Sequence, residues 1–161
     1  MKRILTGLAL CLALTLFAAV GFGEVSTNLF GQKTYNENKK VTRLTYVDGA
    51  GVPQMADDLG YATVQYTYKS NRLVRTSFYD LAGNLVNSAA GWAECAVEYN
   101  SRGSVIERAY YDAQGSLVIG PEGYARQTNE YEAKSLLETV NYGADNQQIR
   151  SDTQFSRMLI N

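Results

Sequence analysis

The sequence predicts an all-β protein of about three and a half tandem β-hairpin units of ~32 residues, laid out as an extended sheet or short solenoid. Three observations predict it. Asp48, Asp80 and Asp112 stand 32 residues apart, and so do Gly51, Gly83 and Gly115. A Gly-aromatic-Ala marker recurs as Gly60-Tyr61-Ala62, Gly91-Trp92-Ala93 and Gly123-Tyr124-Ala125. Tyr35, Tyr68, Tyr99 and Tyr131 keep the same period of 31–33 residues. Self-similarity at such a period is the sequence sign of a repeat architecture. All 12 tyrosines lie between Tyr35 and Tyr142; counting the strings around the Asp turns that hold Tyr46, Tyr79, Tyr110, Tyr111 and Tyr142, only Tyr66 falls outside the repeat columns. Tyrosine is therefore a structural letter here, an aromatic body with a polar tip suited to half-buried strands.

Residues 1–23 have the pattern of a secretory signal peptide. Lys2 and Arg3 precede an apolar run from Ile4 to Phe22 that closes on the small residues Ala18, Ala19, Gly21 and Gly23. Cleavage after Gly21 or Gly23 fits equally well. An uncleaved anchor is the rival, because about 19 apolar residues just span a bilayer. Removal of the leader leaves 13 basic against 16 acidic residues, a net charge of −3, and Cys95 as the one remaining cysteine. The expected location is secreted or at the cell surface, with no membrane span once the leader is gone.

Residues 24–34 form a lead-in, 35–150 the hairpin domain and 151–161 a C-terminal cap or tail. Within the domain, residues 61–68 alternate. Ala62, Val64, Tyr66 and Tyr68 fall on one face, and Tyr61, Thr63, Gln65 and Thr67 on the other. Residues 92–99 repeat this with Ala93, Cys95, Val97 and Tyr99, so Cys95 takes the slot of Val64 and is expected to be buried. Turns at 69–71 and 100–103 lead into second strands near 73–79, 105–111 and 136–142. The Asp-x-x-Gly elements Asp48–Gly51, Asp80–Gly83 and Asp112–Gly115 are structural turns. Asp accepts backbone N–H bonds, and Gly takes the positive φ that other residues avoid. Calcium at these turns is the alternative, but it needs six to eight oxygens and each turn offers one carboxylate. Phe155, Met158, Leu159 and Ile160 would cover the open end of the array. By column, Arg75 couples with Glu107 and Glu94 with Arg126.

Tyr79-Asp80-Leu81-Ala82-Gly83-Asn84-Leu85 and Tyr111-Asp112-Ala113-Gln114-Gly115-Ser116-Leu117 resemble the YD repeats of RHS-type bacterial surface proteins. The longer string from Phe78 through Gly83 to Gly91-Trp92 is similar to cell-wall-binding repeats of the choline- and glucan-binding kind. The resemblance spans residues 35–150. It implies β-hairpins strung into an extended sheet or solenoid outside the cytoplasm, with a binding or structural task.

Composition narrows the chemistry. The 161 residues hold 45% hydrophobic and 19% charged side chains, the balance of an ordinary globular chain. There is no His, which removes Ser-His-Asp and Cys-His arrangements. Two cysteines cannot build a Cys-only zinc site. A net charge of −1 gives no footprint for nucleic acid. Neither cofactor nor metal is expected, and the reading is non-enzymatic. A small hydrolase is the third reading, carried by the one acidic doublet, Asp57-Asp58. The candidate ligand-binding residues are Tyr61, Trp92 and Tyr124, one aromatic row that would stack on sugar rings if exposed, or close each hairpin if packed. The first reading is a module binding extracellular polysaccharide or another cell-wall polymer. The second is a scaffold that engages a protein partner or its own copies.

Overall fold

The structure is a computed structural model that describes residues 29–149; the leader and residues 151–161 lie outside this range. The described chain forms eight antiparallel strands in one open sheet, in chain order, with no helix among the described residues. The strands are β1 (Phe30–Tyr35), β2 (Val41–Val47), β3 (Thr63–Lys69), β4 (Arg72–Tyr79), β5 (Glu94–Tyr99), β6 (Val105–Tyr111), β7 (Arg126–Glu132) and β8 (Ser135–Tyr142). The sheet therefore begins inside the 24–34 lead-in. The first strand ends on the Tyr35 marker but escaped the sequence pattern because its six residues are all exposed at an edge and show no alternation.

Tight tips close one end of the sheet. Ser70 and Asn71 both take positive φ, 47° and 62°, as a two-residue hairpin turn requires. The longer tip after β5 is held by Asn100, whose Oδ1 accepts the N–H groups of Arg102 and Ser104 at 3.0 Å each. Long connections of 15, 14 and 14 residues (48–62, 80–93 and 112–125) leave from the other end. Each opens on the Asp turn. Asp112 Oδ1 accepts the Gln114 and Ser116 N–H groups at 3.0 and 2.8 Å, and Gly115 sits at φ 84°. Backbone donors hold the Asp48 and Asp80 carboxyls below the usual carboxylate range. After the turn, Leu85 and Leu117 bridge back to Tyr79 and Tyr111.

The tyrosine column at 35, 68, 99 and 131 marks a backbone event. Each hairpin has a register shift immediately before that residue. Two of these phenols then tie neighbouring hairpins together: Tyr68 Oη donates to Val41 O at 3.1 Å and Tyr99 Oη to Leu73 O at 2.9 Å.

Pairing runs Leu44↔Val64↔Phe78, then Thr76↔Cys95↔Tyr110, then Arg108↔Gln127↔Asn141. Each hairpin is thus displaced by two residues from the one before. An even displacement leaves every side chain on its own face. One face carries Val64, Phe78, Cys95, Val97 and Tyr110, and the long connections lay Trp92, Tyr124 and Val118 against it to complete the core. The other face is open and polar.

Candidate functional site

The structure places Tyr61, Trp92 and Tyr124 in the core. Trp92 is 6% exposed and Tyr124 4%, so neither offers a ring face to a ligand; Tyr61 is half-buried. They interleave with strand residues in one continuous row: Tyr46, Tyr61, Phe78, Trp92, Tyr110, Tyr124, with centroids 4.3–6.1 Å apart. Alternation had set Tyr61 on the face opposite Val64, whereas the two share the core. The reason is local. Gly60 at φ 78° and the bridge Ala56↔Tyr61 precede the extended backbone, which starts only at Thr63, so the parity of the strand does not reach back across Gly60.

Cys95 is 1% exposed, in the slot the alternation assigns to it, and burial pushes its thiol up to about 12. Asp57 and Asp58 are exposed in the turn that ends at Gly60, whose N–H donates to Ala56 O at 2.8 Å. No cluster of His, Cys, Asp or Glu able to hold a metal occurs among the described residues.

The third long connection carries a polar cluster into the core. Arg108 pairs with Glu122 at 3.1 Å, and the Tyr110 phenol donates to the same carboxylate. Tyr110 is fully buried, and burial, reinforced by its neighbours, raises its phenol far above the ordinary range. Gly120 lies flat on the Tyr110 ring, where an added Cβ would come within 2.3 Å of a ring carbon.

The surface open to a ligand is the face opposite this core. A row crosses four strands there: Arg75↔Ala96↔Ala109↔Arg126. Arg75 pairs with Glu94, and Arg126 with Glu107 at 3.3 Å. The column reading coupled Arg75 with Glu107 and Glu94 with Arg126. The strands that touch are instead β4 with β5 and β6 with β7, so the pairs form between the columns. A shallow groove of about 360 Å³ lies at the Arg75 end of this row, lined among others by Leu85, Ala96, Glu98, Tyr111 and Gly115. Tyr79, Tyr111 and Tyr142 stand at the same position of successive hairpins on this face, all half-buried. The Arg126 guanidinium covers the Tyr142 ring at 4.0 Å. Sequence reasoning used these tyrosines only as period markers. Their parity, opposite to Phe78 and Tyr110, was the signal that sets them on the open face. No protein-family model matches the sequence, and no curated protein matches it.

Proposed function

We propose that this is an exported, non-catalytic binding module of about three and a half ~32-residue hairpin units, presenting the open face of its sheet to an extended extracellular polysaccharide. One observation carries the reading. The open face offers the same half-buried tyrosine on three successive hairpins, Tyr79, Tyr111 and Tyr142, and the middle one, Tyr111, lines a groove edged by charged side chains. A polymer meets like groups at each step of such a surface, and flat aromatic edges with polar neighbours suit sugar rings. The resemblance of the Tyr-Asp strings to repeats of bacterial surface proteins supports the same reading.

The test is co-sedimentation of the full chain with insoluble polysaccharides and isolated cell walls. Binding is expected to fall at least tenfold in Tyr79→Ser/Tyr111→Ser, with circular dichroism unchanged. Binding that persists in this double variant removes the open face from the function. Self-association is the second reading, favoured by β1, whose six residues are all exposed with Phe30 61% and Tyr35 59% accessible at the sheet edge. It predicts concentration-dependent sedimentation in the absence of any polysaccharide.

A further inference from the structure

The sheet has a second edge, β8, and its features differ from those of β1. Leu136 is 55% exposed and Leu137 62%. Glu138 faces Glu130 directly across β7, a like-charge cross-strand pair. The same arrangement occurs once inside the sheet, where Glu98 faces Glu107, and there Arg126 on the following strand reaches Glu107. Among the described residues no strand follows β8.

The described chain stops at a defined point of the same path. Val86 N–H donates to Phe78 O and Val118 N–H to Tyr110 O, each at 3.0 Å, as the two preceding long connections set out. Ile149 N–H donates to Asn141 O at 2.7 Å in the same place. The bridge Tyr142↔Gln148 matches Tyr79↔Leu85 and Tyr111↔Leu117. Chain still to come carries the same letters in the same spacing. Trp92 follows Tyr79 by 13 residues, Tyr124 follows Tyr111 by 13, and Phe155 follows Tyr142 by 13. Glu94 and Arg126 follow those tyrosines by 15 residues, and so does Arg157.

We propose that the open edge of β8 is the docking site of the chain's own residues 150–161, added antiparallel in the register of the two earlier junctions. The earlier pairings Arg75↔Ala96, Thr76↔Cys95 and Ser77↔Glu94 then translate into Glu138 beside Leu159, Thr139 beside Met158 and Val140 beside Arg157. Glu138 gains Arg157, as Arg75 has Glu94 and Glu107 has Arg126. Counting on by one residue sets Ile160 beside the exposed Leu137. Charge complementarity between Glu138 and Arg157 and the apolar match of Ile160 with Leu137 argue for this occupant, and a second copy is the alternative that the concentration dependence below tests.

The experiment uses the full chain, with a chain ending at Ile149 for comparison. Phe78 N–H donates to Ala93 O and Tyr110 N–H to Ala125 O, so the equivalent Asn141 amide, and by alternation that of Thr139, point to the open edge. Both amides are expected to exchange with solvent at least tenfold more slowly in the monomeric full chain than in the shortened one. Equal rates overturn the proposal. Protection that appears only as the protein concentration rises also overturns it and assigns the edge to a second copy. Should the shortened chain not fold, the register is tested in the full chain. Thr139→Cys/Met158→Cys is expected to form an intramolecular disulfide on mild oxidation, while Thr139→Cys/Arg157→Cys, with its two side chains on opposite faces, is not. The reverse pattern, or no disulfide in either, refutes the register.

Discussion

The second and third long connections solve one packing problem in opposite ways. Phe78 and Tyr110 occupy the same place in the sheet, one dry and one carrying a hydroxyl. Around Phe78 the equivalent positions hold Thr76 and Ala90; around Tyr110 they hold Arg108 and Glu122. One buried oxygen therefore brings a carboxylate, and the carboxylate brings a guanidinium, because a buried hydroxyl or charge left without a partner costs free energy. The backbone does not change between the two. The lesson is that this fold fixes where a ring sits and leaves the chemistry around it free.

The comparison breaks most sharply at its two anchors. Trp92→Ala is expected to cost about 3–5 kcal/mol through the cavity it leaves in the dry connection. Glu122→Ala is expected to cost about 3 kcal/mol, for a different reason: it removes the carboxylate that the Tyr110 phenol and the Arg108 guanidinium share. This is the low end for a buried pair, because the two side chains keep 16% and 18% exposure. Urea unfolding followed by circular dichroism measures both, and a loss under 1 kcal/mol for either would remove that anchor. Gly120→Ala forces a methyl into the Tyr110 ring and should cost about 1–3 kcal/mol, with the ring's near-ultraviolet signal perturbed. The triple variant Arg108→Thr/Tyr110→Phe/Glu122→Ala gives these three positions the letters they have around Phe78. Its stability should lie within about 1 kcal/mol of the parent, or above it. A loss larger than that of Glu122→Ala alone would show that the two connections are not interchangeable.

The smallest effect concerns the turn that the two connections share. Asp80→Asn keeps the Oδ1 acceptor that Asn100 supplies at a hairpin tip, so it should melt closer to the parent than Asp80→Ala. The charge adds a pH term. Backbone hydrogen bonds lower the folded pKa of Asp80 below its unfolded value of about 3.8. Its contribution is present above that value and is lost as pH falls through the folded pKa. Asp80→Asn should flatten that acid limb, as read from melting temperature against pH.

Much of the architecture was written in the period. Asp-x-x-Gly, Gly-aromatic-Ala and the lone tyrosine column each correspond to one backbone event: a turn with positive φ, the last turn before a strand, and a bulge. What alternation did not show was on which face the aromatic after each glycine would lie. Period-2 reasoning holds only where the backbone is extended, and Gly60, Gly91 and Gly123 reset it. Strand β1 stayed hidden for a related reason. An edge strand without a buried side needs no alternation, and Phe-Gly-Gln-Lys-Thr-Tyr has none. The polar cluster was visible only as three substitutions at equivalent positions, 76 to 108, 78 to 110 and 90 to 122, and gained its meaning once the register joined them.

The two-residue displacement between hairpins has a geometric consequence. Each hairpin advances about 10 Å across the sheet and slides about 7 Å along the strands. Equivalent residues such as Tyr79 and Tyr111 therefore lie on a diagonal, inclined roughly 35° from the perpendicular to the strands, by the same spacings. The sheet has the outline of a parallelogram, and the natural track for a long ligand runs obliquely across it. Further units would lengthen that track along the same slant without turning any side chain over.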